Sequence, residues 1–219
     1  MRTLAELTTT DEPAWPWIEQ LVAVAPDARL LPRDPARADA DLLGLQITVR
    51  SPLGALVHGS GGLLVDHGWL RILGSGSEQL PRSVRSWNAD GSGLLLVADD
   101  VVGGFFAING GALDGEPGEV FYLAPDTLEW ESLDRGFSDF LEFALSPAIE
   151  QFYESFRWPG WQDEVAALGG DEAFMVYPFL WAEGPSIAER VRKPGPIAEV
   201  YALALDMRRQ LNEAGSAGE

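Results

Sequence analysis

The chain contains no cysteine among its 219 residues. Disulfides, thiolate nucleophiles and Cys-ligated zinc are therefore excluded. Lysine is nearly absent as well: Lys193 is the one lysine, and the other cations are arginines. Fifteen basic residues stand against 34 acidic ones, a formal net charge of −19. That excludes a general binder of phosphate backbones, whose footprint is basic. Histidine is scarce, with only His58 and His67. The longest apolar runs, 93–98 and 103–108, fall far short of the ~20 residues that a membrane span requires. The first thirty residues hold Arg2, Glu6, Asp11, Glu12, Pro13 and Pro16, with no apolar core of signal-peptide length. The expectation is a cytoplasmic protein without membrane or nucleic-acid partners and without a bound cofactor.

What is present is globular: 46% hydrophobic and 22% charged residues. The length suits one elaborated domain. Charge is uneven, with a net of −5 over residues 1–110 and −14 over 111–219. A solvated surface explains this most simply. The sharper reading is an acidic face that meets a basic partner.

Along the chain, Thr10 or Asp11 caps a predicted helix that ends at Pro26. Residues 29–32 read as a short extended piece. Asp34-Pro35 and Ser51-Pro52, each a cap followed by proline at the first helical position, open helices to about Gln46 and Gly59. The middle reads as strands. Leu63–Val65 and Trp69–Leu73 flank a hairpin turn at Asp66-His67-Gly68. A short helix or irregular crossing near Trp87 follows. Strands at 93–98 and 103–108 are separated by Asp99-Asp100, and strands at 118–123 and 128–132 come next. The apolar run at 94–98 predicts a strand covered on both faces. Helical periodicity returns from Ser138 to about 157. Trp158-Pro159-Gly160-Trp161 then makes a break, and Phe174–Trp181 is an aromatic extended segment. Pro196 opens a terminal helix. Helices, then a meander, then helices argue for an α+β fold. The boundaries are N-terminal helices over 1–60, a mainly antiparallel sheet over 63–132 and C-terminal helices over 137–213. A frayed tail covers 214–219.

Chemistry-bearing constellations are few. Asp66, His67 and Ser75 or Ser77 offer a triad in composition, but Gly74-Ser75-Gly76-Ser77 is not the strand-to-helix elbow that such a serine needs. Turn chemistry explains Asp66-His67-Gly68 better. Asp99-Asp100 offers paired carboxylates for a divalent cation, yet a site needs further oxygens, and a turn is again preferred. No glycine pattern matches a nucleotide loop. Eight tryptophans are numerous for this length; most belong in a core, with a minority free to line a groove.

The stretch from Gly93, with Asp99 to Phe106, Val120 to Tyr122 and Phe137 to Phe143, resembles the SUKH superfamily, named for a yeast cell-wall regulator, bacterial immunity proteins and herpesviral relatives. Five further segments resemble the bacterial family called domain of unknown function 2625. They are Glu12-Pro13-Ala14-Trp15, Leu31-Pro32-Arg33-Asp34, Val65–Gly76, Arg157-Trp158-Pro159-Gly160-Trp161 and Tyr177-Pro178-Phe179-Leu180-Trp181. The match spans about residues 1–200. It implies a SUKH-like α+β domain with extra helices at both ends. It carries no catalytic or metal-binding residue and names no activity. The wider superfamily contains many immunity proteins that bind and silence toxins. The resemblance and the charge together favour a non-enzymatic protein-binding module, immunity- or antitoxin-like, that meets a basic partner. The contact is expected at the strand-loop carboxylates Asp99, Asp100, Asp114, Glu116 and Asp126. The alternatives are a hydrolase or metal-dependent enzyme using Asp66, His67, Asp99 and Asp100, and an acidic regulatory domain without a toxin partner.

Overall fold

The fold follows from caps, a meander and the cores packed on the two faces of its sheet. A computed structural model describes residues 1–89, 91 and 93–216. The N-terminal helices are α1 (Leu4–Thr8), α2 (Trp15–Ala23), α3 (Pro35–Leu45) and α4 (Pro52–Gly59). Asp34 accepts from the amides of Ala36 and Arg37, and Ser51 accepts from Gly54, so both predicted starts are capped as expected. Helix α2 begins later than predicted, after Ala14 rather than at Asp11, with Pro16 in its first turn. Helix α1 was not foreseen; Thr3 and Glu6 form a reciprocal capping box that starts it.

Seven strands form one antiparallel meander: β1 (Arg29–Leu31), β2 (Gly62–Val65), β3 (Leu70–Leu73), β4 (Leu94–Asp100), β5 (Phe105–Asn109), β6 (Glu119–Leu123) and β7 (Trp130–Gly136). A short helix, α5 (Val84–Trp87), lies in the crossing between β3 and β4. The register pairs Leu63 with Ile72, Arg71 with Asp99, and Phe106 with Tyr122. A second, two-stranded sheet joins β8 (Glu172–Tyr177) to β9 (Val191–Pro196). The remaining helices are α6 (Phe137–Ala144), α7 (Ala148–Phe152), α8 (Trp161–Ala166) and α9 (Ile197–Ser216).

Alternating strand residues feed different cores. Val97, Phe106, Val120 and Tyr122 pack with Ile18, Leu56, Phe140 and Ile149 from α2, α4, α6 and α7. Leu96, Phe105, Ala107 and Leu123 pack instead with Ala173, Ile197 and Ala204 from β8 and α9. The sheet is thus covered on both faces, as the apolar run in β4 predicted, and the molecule is α+β.

Three expectations need correction. Asp99-Asp100 is not a turn: both residues end β4 with 0% exposure, and the reversal falls at 101–104. The region 137–213 is not all helical, because β8 and β9 interrupt it; Pro194 and Pro196 disguise β9 in the sequence. The terminal helix starts at Ile197 and runs through 214–216, part of the expected tail; 217–219 lie outside the described residues.

Candidate functional site

Asp99 and Asp100 point to opposite sides of β4. Asp99 accepts from Arg71 Nε at 2.6 Å and from Arg82 Nη2 at 2.6 Å. Arg71 Nη1 continues to the carbonyl of Glu172 at 2.6 Å, and Arg82 Nη1 reaches the Asp171 carboxylate at 2.9 Å and the Gly170 carbonyl. This charged knot ties β3, β4 and the 82 region to the start of β8. Two buried guanidinium groups share the Asp99 carboxylate, and Arg82 has Asp171 as a second partner. Burial pulls Arg71 below the ordinary arginine range, against the opposing field of Asp99.

Asp100 serves the turn. Its Oδ1 accepts from the amides of Val102 and Gly104, and its Oδ2 accepts from the Tyr122 hydroxyl at 2.8 Å. A Cβ on Gly104 would collide with Asp100 Oδ2 and the Tyr122 hydroxyl, so this residue must be glycine for the turn to close. Burial pushes the Asp100 carboxyl up despite those three donors, and pushes the Tyr122 phenol well above its ordinary value. Neither Asp99 nor Asp100 offers a surface to a partner in this fold. Asp114, Glu116 and Asp126 do lie exposed, on the 110–118 loop and the β6–β7 turn. The five residues grouped by sequence therefore divide into two structural and three superficial.

The residues that the fold brings together around an open crevice are others. The hairpin turn 66–68 has two successive non-glycine residues with positive φ, Asp66 at 51° and His67 at 57°. Such backbone is uncommon for side chains other than glycine and concentrates at functional sites. Asp66 pairs with Arg157, which follows α7. Burial raises the Asp66 carboxyl while Arg157 opposes the rise; burial lowers Arg157 while Asp66 supports its charge. The Arg157 guanidinium lies 3.7 Å from the Trp69 ring centroid and 3.8 Å from that of Trp161. Those two indoles meet edge to face at 5.2 Å. A desolvated contact of this kind contributes about 2 kcal/mol. Nε1 of Trp69 and Nη1 of Arg157 are buried with no hydrogen-bond partner among the described residues. Ring–cation attraction and the Asp66 pair, rather than a saturated network, hold the stack.

Around this stack opens a crevice of about 340 Å³. Asp27, Asp66, Glu150 and Glu154 supply four carboxylates; Arg157 is the single fixed cation, and Trp161 forms an aromatic wall. His67 stands at its rim, 3.4 Å from Asp27 and edge-on to Trp161 at 5.6 Å. His58 is elsewhere, on α4, 3.0 Å from Asp39 and beside Arg33. Among the described residues neither histidine shares a hydrogen bond with a hydroxyl, and no three His, Asp or Glu side chains are grouped to hold a metal ion.

Two segments singled out in the sequence, Val65–Gly76 and Arg157–Trp161, thus meet at one place. A family model described as a protein of unknown function, DUF2625, matches residues 4–200. The chain belongs to that family. Within reach of this DUF2625 protein is a putative uncharacterized protein YbfG of Escherichia coli (strain K12), 44% identical over 218 residues, 97% of this chain and 100% of the relative. An uncharacterized protein of Haemophilus influenzae is 38% identical over 189 residues, 82% of this chain and 83% of its own. No solved structure matches. Of the residues around the crevice, the sequence offered Asp66 and His67, as members of the enzymatic alternative, but not the others. Asp27, Glu150 and Glu154 are scattered acids without a motif. Arg157 had a signal, its place beside Trp158-Pro159-Gly160-Trp161, but nothing in the order of residues tied it to Asp66.

Proposed function

We propose that this protein is a cytoplasmic protein-binding module of the immunity or antitoxin kind, within the SUKH superfamily, that engages a basic partner through an acidic surface. The observation that carries the reading is the crevice at 66–67. Four carboxylates surround the Trp69–Arg157–Trp161 stack, so a partner's arginine or lysine enters a field of net negative charge beside the half-buried Trp161 indole. Such a field accelerates encounter and rejects acidic competitors, and the aromatic wall supplies the desolvated anchor that charge alone lacks. The contact lies at the crevice, because Asp99 and Asp100 are enclosed, with Asp114, Glu116 and Asp126 as outlying charges that steer approach. Support for a binding role over catalysis comes from Asp66, whose carboxylate is occupied by Arg157, and from the histidines, which face acids and no nucleophile.

The test is affinity capture from the native host, read by mass spectrometry, followed by co-expression with the captured candidate toxin. A chain carrying Asp27→Lys, Glu150→Lys and Glu154→Lys is expected to lose the partner, and capture is expected to weaken with salt. Capture of a basic protein that survives both high salt and these reversals would refute the crevice. The second reading, a hydrolase, is favoured by the raised Asp66 carboxyl next to His67. Turnover of any ester or amide substrate that His67→Ala abolishes would replace the binding reading.

A further inference from the structure

On the other side of His67 lies a cavity of about 380 Å³ whose chemistry is the reverse of the acidic crevice. No carboxylate lines it, although the chain has 34 acids against 15 bases. Its cationic end is formed by Arg29 on β1 and Arg71 on β3, with His67 and Gln79 beside them. The exposed guanidinium of Arg29 makes no ion pair or hydrogen bond among the described residues. Arg71 is 3% exposed, and its only carboxylate, Asp99, is shared with Arg82. Asp99 and Asp171 balance Arg71 and Arg82, so the charge left uncompensated at this end of the cavity is that of Arg29, with the buried Arg71 behind it. The opposite walls are apolar: Leu64, Val101, Val165 and Leu168. The volume lies within the range of ~300–1,000 Å³ typical of small-molecule sites, and the plan of a few convergent polar groups on an apolar lining is the usual one.

We propose that this cavity binds a small organic anion, a carboxylate carried on an apolar body. The carboxylate would pair with the planar fork of Arg29, while Arg71, whose nitrogens are held by Asp99 and the Glu172 carbonyl, adds its charge from behind, and the body would fill the space between Leu64, Val165 and Leu168. The site shares only His67 with the acidic crevice and takes the opposite charge, so it stands or falls independently of the partner proposed above.

Calorimetric titration of the full chain with 4-phenylbutanoate tests it, with 4-phenylbutylamine and inorganic phosphate as comparison probes. Saturable one-to-one binding of the carboxylate is expected, with neither the amine nor phosphate saturating at about 10 mM. Arg29→Glu, on an exposed side chain, should weaken carboxylate binding at least ~10-fold without moving the thermal midpoint. Leu168→Trp, which fills the cavity from its rim, should abolish it. The proposal is overturned if 4-phenylbutanoate does not saturate, if the amine or phosphate binds as tightly, or if binding survives Arg29→Glu.

Discussion

Asp99 and Asp100 at the end of β4 and the acids of the 66–67 crevice share one chemistry and have opposite fates. Asp99 is fully enclosed and closes a two-arginine knot that fastens β8 to the main sheet. Asp27, Glu150 and Glu154 face an open crevice with no buried cation of their own. A carboxylate's role here is set by whether water can reach it, because burial turns an ion from a soluble decoration into a group that must be paired. The contrast extends to the arginines: Arg82 is locked between Asp99 and Asp171, whereas Arg29 stands unpaired at a cavity rim.

Substitution is the most direct way to break this comparison. Asp99→Ala leaves Arg71 and Arg82 buried without their shared acceptor and should cost about 3–5 kcal/mol of stability in urea unfolding. A loss below about 1 kcal/mol would mean that water enters the knot. Asp100→Ala strips an acceptor from two amides and the Tyr122 hydroxyl, an expected loss of about 1–3 kcal/mol. Asp100→Asn should restore most of it, since an amide oxygen can still accept from Val102 and Gly104; equal losses in the two variants would contradict that role.

Alkaline titration sharpens the picture with a smaller effect. Tyr122 and Tyr153 are held well above the ordinary phenol value of 10.0, both chiefly by burial, with the Asp100 carboxylate adding to the rise. A group raised in the folded state stabilises fully below its unfolded value and loses that contribution as pH climbs through the folded one. Stability should therefore fall above pH 10, and tyrosinate absorbance should show these two phenols ionising only as the fold is lost. Smooth ionisation of all four tyrosines before unfolding would refute it. The smallest change is expected at the surface. Asp114→Lys, Glu116→Lys and Asp126→Lys should each alter stability by about 0.5 kcal/mol or less. They should slow partner association far less than reversal of Asp27, Glu150 and Glu154, as surface plasmon resonance would show.

Much of the fold was legible because its signals are local. Asp34-Pro35 and Ser51-Pro52 place their helices to within a residue, since a cap and a fixed φ act over one turn. The apolar run at 94–98 marked β4 as a strand covered on both faces, and the glycine and proline turns around 103–108 and 118–123 marked β5 and β6. The Thr3–Glu6 box that starts α1 is equally local. By contrast, Asp99-Asp100 reads as a turn because adjacent aspartates favour turns in isolation; the pairing of β3 with β4 and two arginines 28 and 17 positions earlier override that preference. Strand β9 was hidden because Pro194 and Pro196 argue against a strand, yet a two-stranded ribbon has free edges where a missing amide does no harm.

Composition and local pattern, then, determined that this chain would be an acidic α+β protein with no thiol chemistry and a meander at its centre. These properties depend on residue counts and on neighbours a few positions apart. Only the tertiary structure decided which carboxylates are enclosed, that Asp66 meets Arg157 between two indoles, and that His67 divides an acidic crevice from a cationic cavity. Those arrangements join residues up to about a hundred positions apart. Their energetics depend on local access of water, which the order of residues does not encode and the packed fold does.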